Sequence, residues 1–160
     1  MKSQSASYLV GIDLGTTHTV VAYANAEKSQ QDIQLFQIEQ LIAPGQVAAR
    51  QLLPSVRYHP APGELSADQV AFPSYPTPLH SSGEAPILGE AARLLGAKSK
   101  GRFVTSAKSW LSHPSADPSA AILPWSNSND IDKVSPIDAS ASYLAHIRTV
   151  WDHKFPHSPL

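Results

Sequence analysis

Residues 8–25 of the chain read YLVGIDLGTTHTVVAYAN, and this stretch decides how the fold begins. Two apolar runs rich in β-branched side chains, residues 8–13 and 18–24, flank a short connection at residues 15–17. Because this connection is too short for a crossover helix, the two runs are predicted to be adjacent antiparallel strands. A hairpin with a small polar tip is therefore the first predicted element.

The tip of this hairpin carries groups that suit phosphate and metal binding. Gly15 can adopt a positive φ, and because it has no Cβ it lets a ligand approach the backbone closely. Thr16 and Thr17 add hydroxyl donors to the backbone N–H groups of the turn, which can form a concave anion site. Asp13 can hold Mg²⁺ directly or through its water shell. An ordinary Gly-Thr turn with a surface Asp fits the same residues, and composition alone leaves both alternatives open.

The amino-acid composition argues against several kinds of partner, metal site and cellular location. The 160 residues are 42% hydrophobic and 16% charged, with a net charge of -1 and no cysteine. Without a basic block, a nucleic-acid partner is not expected. The lack of cysteine excludes disulfides and thiolate metal sites and fits a reducing, cytoplasmic location. The amino-terminal apolar run is too short for a signal-peptide core and nothing approaches a membrane span, so no membrane association is expected.

Further strands and helices follow the hairpin. Ile33–Glu39 is predicted to be a strand covered on two faces, and Ser55–Tyr58 a short fourth strand. Glu90–Leu95 is predicted to be a helix that stops at Gly96, and Phe103–Leu111 a second helix. Seven prolines between positions 54 and 86, and a segment rich in Ser, Pro, Asn and Asp, predict irregular insertions at about 59–85 and 113–134.

The last predicted helix has the clearest signals. Ser135 is a good N-cap, Pro136 fits the first helical position, and Asp138 lies in the first turn. The helix is predicted to run to about Lys154, and its apolar stripe is formed by Ile137, Ala141, Leu144, Ile147 (or Arg148) and Trp151. Strands followed by helices predict an α/β fold, in which helices flank a sheet that begins with antiparallel strands.

Residues 11–17, GIDLGTT, together with the following strand, closely resemble the first phosphate-binding motif of the 70-kDa heat-shock chaperone family. His18 departs from the Asn that is usual in that family. Weaker similarity extends over residues 53–56, 88–92 and 106–111 and the final helix, so it covers nearly the whole chain except 59–85 and 113–134. The resemblance implies an actin-like (ribonuclease H-like) ATPase lobe with a mixed sheet.

The same resemblance implies residue roles and ligands. Gly15, Thr16, Thr17 and His18 would contact the phosphates of ATP or ADP, and Asp13 would hold Mg²⁺. Lys108 would be the catalytic lysine, which offsets charge that develops on the transferred phosphoryl group. The alternatives are an ordinary solvated lysine and, for His18, a strand residue that points aside.

The resemblance also implies what lies outside residues 1–160. The family's catalytic Glu and second phosphate loop come later in its sequence, so the chain is expected to be a truncated first lobe. Alone, it is expected to bind nucleotide weakly and to hydrolyse it negligibly. In the full-length protein, ATP hydrolysis would drive the binding and release of unfolded client proteins, with co-chaperones as further partners. A relative of the sugar or metabolite kinases and a non-catalytic interaction module are the other two hypotheses.

Overall fold

The chain forms three small sheets and three helices within the residues that the structure describes. A computed structural model describes residues 7–28, 32–72, 85–125 and 131–160. The strands are β1 (Tyr8–Leu14), β2 (His18–Asn25), β3 (Gln34–Leu35), β4 (Ile38–Ala43), β5 (Gln46–Arg50), β6 (Leu52–Pro54), β7 (Arg57–Tyr58), β8 (Ile87–Leu88) and β9 (Phe103–Val104). The helices are α1 (Gly89–Gly96), α2 (Ala107–Trp110) and α3 (Pro136–Lys154).

The predicted hairpin is confirmed and is the centre of the largest sheet. β1 and β2 pair antiparallel over their whole length, from Tyr8 opposite Asn25 to Leu14 opposite Thr19. The other edge of β2 pairs with β3 and with β6, and both pairings are antiparallel. The described residues therefore form a mixed α/β structure that begins with antiparallel strands, as predicted. Every strand pairing among them is antiparallel, so the mixed sheet that the resemblance implies is not seen in these residues.

The strand predicted at Ile33–Glu39 is wrong in its extent and its burial. The chain leaves β3 after Leu35, and a new strand, β4, starts at Ile38. Between them, Phe36 donates its N–H to the carbonyl of Val21 over 2.8 Å, and its side chain is fully buried. This turn leaves Ile33 and Leu35 exposed, so the segment is not covered on two faces. β4 instead pairs with β5 in a separate two-stranded sheet.

The third sheet explains why two other sequence predictions were wrong. β7 pairs with both β8 and β9 in the order β8-β7-β9, so the predicted strand at Ser55–Tyr58 is confined to Arg57–Tyr58. Phe103 and Val104 belong to β9 and not to the predicted helix 103–111, of which only Ala107–Trp110 is helical. Ser106, with a φ of 55°, separates β9 from α2 in a left-handed conformation that cannot continue a helix.

The first predicted helix forms and ends at Gly96, as predicted, but the structural reason for a glycine at this position is different. The residue after it, Ala97, keeps a right-handed helical conformation, so Gly96 is not followed by a left-handed stop. A Cβ at position 96 would lie 2.2 Å from the ring of Phe103. Close contact between α1 and β9, and not helix termination, therefore requires a glycine here.

The last helix begins as predicted, but its buried face is different. The Ser135 hydroxyl accepts the N–H of Asp138 over 3.0 Å, and Pro136 occupies the first turn. Ile147 and Trp151 are buried as predicted, whereas Ile137 and Leu144 are 47% and 37% exposed. The stripe is wrong because polar residues share the buried face, which consists of Pro136, Ala139, Ser140, Tyr143, His146, Ile147, Val150 and Trp151.

This face of α3 holds the open end of the hairpin. The ring of Trp151 lies 5.7 Å from that of Tyr8 and 5.4 Å from that of Tyr23, both edge to face. Phe36 and Phe155 complete the aromatic cluster. Aromatic pairs of this kind add about 0.5–1.5 kcal/mol beyond burial. Therefore the hairpin is fixed at the end opposite its tip, and the tip projects from a firmly held base.

No helix within the described residues combines the length and apolar character needed to cross a bilayer.

The structure describes parts of both predicted insertions. In the predicted insertion 59–85, the structure describes residues 59–72 and 85, with one 3-10 turn at Ala67–Gln69, and residues 73–84 lie outside the described ranges. In the predicted insertion 113–134, an antiparallel bridge joins Leu123 to Val134, and residues 126–130 lie outside.

Candidate functional site

Ser55 pins the tip of the first hairpin from across the sheet. Its N–H donates to the carbonyl of Thr17 over 2.9 Å, and its hydroxyl donates to the carbonyl of Gly15 over 2.8 Å. The Thr19 hydroxyl lies 3.0 Å from the Ser55 hydroxyl, and both residues are buried. Since Ser55 gives its single hydroxyl proton to Gly15, Thr19 must be the donor to Ser55. Three hydrogen bonds through one residue thus fix the turn.

Gly15 is required in this turn because of a close backbone approach. A Cβ at this position would lie 2.3 Å from the carbonyl oxygen of His18, a distance that real Cβ atoms do not show. The expected positive φ is absent: among described glycines, positive φ occurs at Gly45, Gly63 and Gly89. The atom that approaches Gly15 belongs to the protein's own turn, so the residue sets the tightness of the tip.

The groups predicted to meet phosphate and metal are accessible. Thr16 and Thr17 are exposed at the tip, and Asp13 is exposed near the end of β1. Asp13 lies opposite Val20, so its side chain is on the face of the sheet opposite the Thr19–Ser55 pair. None of these three side chains forms a hydrogen bond or ion pair with another described residue, so all three are available to a ligand.

The carboxylate of Asp13 belongs to no larger cluster of metal-binding side chains within the described residues. The described ranges hold no group of three or more histidines and carboxylates that could surround a metal ion. A single carboxylate suits Mg²⁺, which keeps several waters and uses one or two protein carboxylates together with phosphate oxygens.

His18 lies on the same face of the sheet as Asp13, because Val20 is opposite Asp13 and is two residues from His18 in β2. Its side chain is half-buried and lines a groove of about 500 Å³ beside the tip. The groove is bounded by β2, by β5–β6 and by α1, and is lined by His18, Gln37, Ala49, Arg50, Gln51, Leu52, Pro54, Glu90 and Arg93. The structure thus places His18 next to the predicted phosphate turn.

Lys108 is not joined to the tip by any contact that the structure shows. It is exposed on α2, a four-residue helix whose buried Ala107 packs with Val104, Leu123 and Ala139 in a separate apolar cluster. Its ammonium group forms no hydrogen bond or ion pair with the described residues. Asp13, the turn and His18 are neighbours in the first hairpin, whereas Lys108 belongs to α2, whose buried Ala107 packs in another apolar cluster.

A second polar cluster, formed by Arg57, His59 and Tyr143, has perturbed pKa values. The Nε–H of Arg57 donates to Nε2 of His59 over 3.1 Å, so this ring nitrogen carries no proton. Burial, together with the positive charge of Arg57, lowers the pKa of His59 to about 4. Burial also lowers the pKa of Arg57 and raises that of the nearby Tyr143. Arg57 of β7 therefore interacts electrostatically with Tyr143 of α3, and its charge together with burial favours the neutral form of His59.

Sequence reasoning did not assign Ser55, Arg50 or Arg93 to the site. Ser55 is 40 residues from Gly15 in the chain, and the pairing of β6 with β2 brings it to the tip. The Pro-Ser pair at residues 54–55 was the available signal, since it enters a strand in the resembled family. Arg50 and Arg93 had no local signal, because only the packing of α1 beside β5 and β6 places them together.

Comparison with known proteins identifies no family for this chain. A scan against protein-family models and a search of curated proteins both find no match to the chain. The functional assignment therefore depends on the residues of the tip, their geometry and the similarity of residues 11–17 to a known phosphate-binding motif.

Proposed function

We propose that this chain belongs to the ATP-binding domain of a molecular chaperone of the 70-kDa heat-shock type, as part of its first, actin-like lobe. In this proposal the turn at residues 15–17 binds the phosphates of ATP or ADP, and Asp13 binds Mg²⁺. His18 lies at the edge of the phosphate site. The similarity of GIDLGTT to the family motif and the mixed α/β architecture support the assignment.

The fixed tip is the observation that carries the proposal. Binding a phosphate with backbone N–H groups is more favourable when the turn does not have to be ordered at the same time. Ser55 holds the carbonyls of Gly15 and Thr17, which leaves the exposed Thr16 and Thr17 side chains free for a ligand. Aromatic packing of Tyr8 and Tyr23 on Trp151 holds the other end of the hairpin. The tip is therefore preorganised for an anion.

Lys108 has the catalytic role in this proposal only when a nucleotide and further parts of the ATPase meet it. A point charge at the transferred phosphoryl group would offset developing negative charge. The exposed, unpaired ammonium group on α2 is available for this role. ATP hydrolysis in the full-length protein would then drive the binding and release of unfolded client proteins, assisted by co-chaperones.

Nucleotide titration followed by nuclear magnetic resonance tests the proposal. ADP is added to the 160-residue chain up to millimolar concentration, with and without Mg²⁺, and backbone amide shifts are recorded. The amides of residues 15–17 are expected to shift, and Asp13→Asn should remove the effect of Mg²⁺. The matched control is Glu27→Gln, an exposed carboxylate beyond the other end of β2, which should behave as the parent chain.

Two results would contradict the proposal. Amides at the tip that do not respond to millimolar ADP or ATP would leave the hairpin as a scaffold in a non-catalytic module. A response that is identical with and without Mg²⁺, and identical in Asp13→Asn, would remove the metal role of Asp13. Nucleotide binding coupled to phosphorylation of a sugar or metabolite by the full-length protein would favour a kinase relative.

A further inference from the structure

The groove beside the tip has a basic, hydrogen-bonding lining. Its lining includes two arginines, Arg50 and Arg93, and one carboxylate, Glu90, which is paired with Arg93. The ring of His18 adds a nitrogen that can donate a hydrogen bond. The whole chain has a net charge of -1, so this excess of positive charge is local. We propose that the groove is an anion-binding subsite for a chain of phosphate groups, and that it acts without Mg²⁺ and without Asp13.

Arg50 is the principal cationic group of this subsite. It is exposed at the end of β5, and Nη1 donates to the carbonyl of the neighbouring Ala49 over 3.1 Å. The rest of its guanidinium forms no hydrogen bond or ion pair with the described residues. A planar guanidinium presents paired N–H groups that match two phosphate oxygens. Because Arg50 has no carboxylate to give up, a phosphate gains this contact without breaking an ion pair.

Arg93 and Glu90 line the groove from α1 and limit what it accepts. Arg93 donates to Glu90 one turn earlier in α1, and its side chain remains 59% exposed. The guanidinium therefore has further N–H groups for a ligand, while the Glu90 carboxylate repels a second anion placed close to it. An elongated phosphate chain that runs along the Arg50 side fits this distribution better than a compact cluster of anions.

The remaining lining and the size of the groove agree with a small polar ligand. Gln37 and Gln51 supply amide N–H donors, and Leu52 and Pro54 of β6 contribute apolar surface. A volume of about 500 Å³ accommodates several phosphate groups. His18 directly follows the turn at residues 15–17, so the groove starts where the tip ends. One ligand can therefore extend from the tip into the groove.

Calorimetric titration of the 160-residue chain with inorganic tripolyphosphate, in EDTA at low salt, tests the proposal. Arg50→Gln is expected to weaken binding about five- to tenfold, because it removes a charge-assisted contact. Arg50→Lys should restore part of the loss, since it keeps the charge and loses the paired N–H geometry. Arg148→Gln is the matched control: Arg148 is an exposed arginine on α3, where it pairs with Asp152, and the variant should bind as the parent chain does.

The source of the phosphate chain is decided by repeating the titration with ATP and with AMP. Loss of affinity in Arg50→Gln for both ATP and tripolyphosphate assigns the groove to the phosphate chain of a nucleotide. Loss for tripolyphosphate alone assigns it to a free oligophosphate. Binding of AMP as strong as that of ATP, with the same dependence on Arg50, would overturn the preference for a chain.

The outcome is separable from that of the proposed nucleotide function. Asp13→Asn is expected to leave tripolyphosphate binding in EDTA unchanged, whichever role Asp13 has with Mg²⁺. The subsite is overturned if tripolyphosphate does not bind the parent chain, or if Arg50→Gln and Arg148→Gln weaken binding equally. A tip that responds to ADP and Mg²⁺ while Arg50→Gln has no effect would support the nucleotide site and reject the groove.

Discussion

The hydroxyl of Ser55 donates to the carbonyl of Gly15 over 2.8 Å, which ties the entry of β7 to the tip of the first hairpin, 40 residues earlier in the chain. The same hydroxyl accepts a hydrogen bond from Thr19, so one side chain links two strands and a turn. A turn that is held in this way presents its outward groups in one arrangement. Ser55 is thus a positioning residue for the candidate phosphate site.

Ser55→Ala is expected to lower the free energy of unfolding by about 1–2 kcal/mol, because it leaves the buried Thr19 hydroxyl and the Gly15 carbonyl without their partner. Urea unfolding followed by circular dichroism measures the change. Ser109→Ala, at an exposed position of α2, is the control and should change stability by less than about 0.5 kcal/mol. Equal stability of the two variants would show that the hydrogen bonds of the Ser55 hydroxyl contribute nothing to the stability of the fold.

Gly15→Ala is expected to destabilise the protein by about 2 kcal/mol or more, because the added methyl must displace backbone. The group that it meets is the carbonyl of His18, 2.3 Å away. Gly11→Ala, four residues earlier in β1, is the matched control, since a Cβ there has nothing within 4 Å. Thermal unfolding should place Gly11→Ala within about 0.5 kcal/mol of the parent chain. A Gly15→Ala chain as stable as Gly11→Ala would refute the tight-turn explanation.

Local sequence signals predicted the elements whose causes lie within a few residues. The hairpin follows from apolar runs separated by a three-residue connection, and α3 follows from the Ser135 cap, Pro136 and Asp138. Phe103 and Val104 carry no local sign that they pair with Arg57 and Tyr58, so the helix predicted there was too long. The strand conformation of residues 103–104 therefore depends on pairing with residues that are distant in the chain.

The same limit applies to the candidate site. The turn residues and Asp13 were identified from a contiguous motif, whereas the residue that pins the turn comes from β6–β7 and the basic groove combines β2, β5 and α1. Gly15 was assigned to the tip for its freedom in φ, but the structure requires it for its missing Cβ. Motif recognition therefore predicts the residues of the candidate site, and tertiary packing shows which residue holds its turn.

The buried face of α3 gives a direct test of the corrected stripe. Ile147→Ala is expected to cost about 2–5 kcal/mol, because the Ile147 side chain is fully buried against the hairpin sheet and its removal leaves a cavity. Leu144→Ala, at a position 37% exposed, is expected to cost less than about 1 kcal/mol. Chemical denaturation of both variants measures the difference. Comparable losses of stability in the two variants would show that Leu144 belongs to the buried face of α3.

The free energy of unfolding is expected to fall as the pH is lowered from about 6.5 to about 4. In this range His59 stays neutral in the folded chain and becomes protonated in the unfolded chain. The pKa of His59 is lowered to about 4 by burial and by the charge of Arg57, so the unfolded state binds more protons throughout this window. Above about pH 6.5 the ring is neutral in both states and its contribution is constant.

His59 is expected to change the free energy of unfolding by about 1 kcal/mol over this pH range, since the ring is only half-buried and solvent screens part of the charge. Urea unfolding at pH 4.5, 5.5 and 7.0 measures it. His59→Gln keeps an acceptor for the Arg57 Nε–H and should flatten the pH dependence, whereas His157→Gln, at an exposed position near the carboxyl end, should leave the dependence of the parent chain intact. If His59→Gln loses stability with falling pH as steeply as the parent, the partly buried Arg57–His59 contact is not the origin of the acid sensitivity.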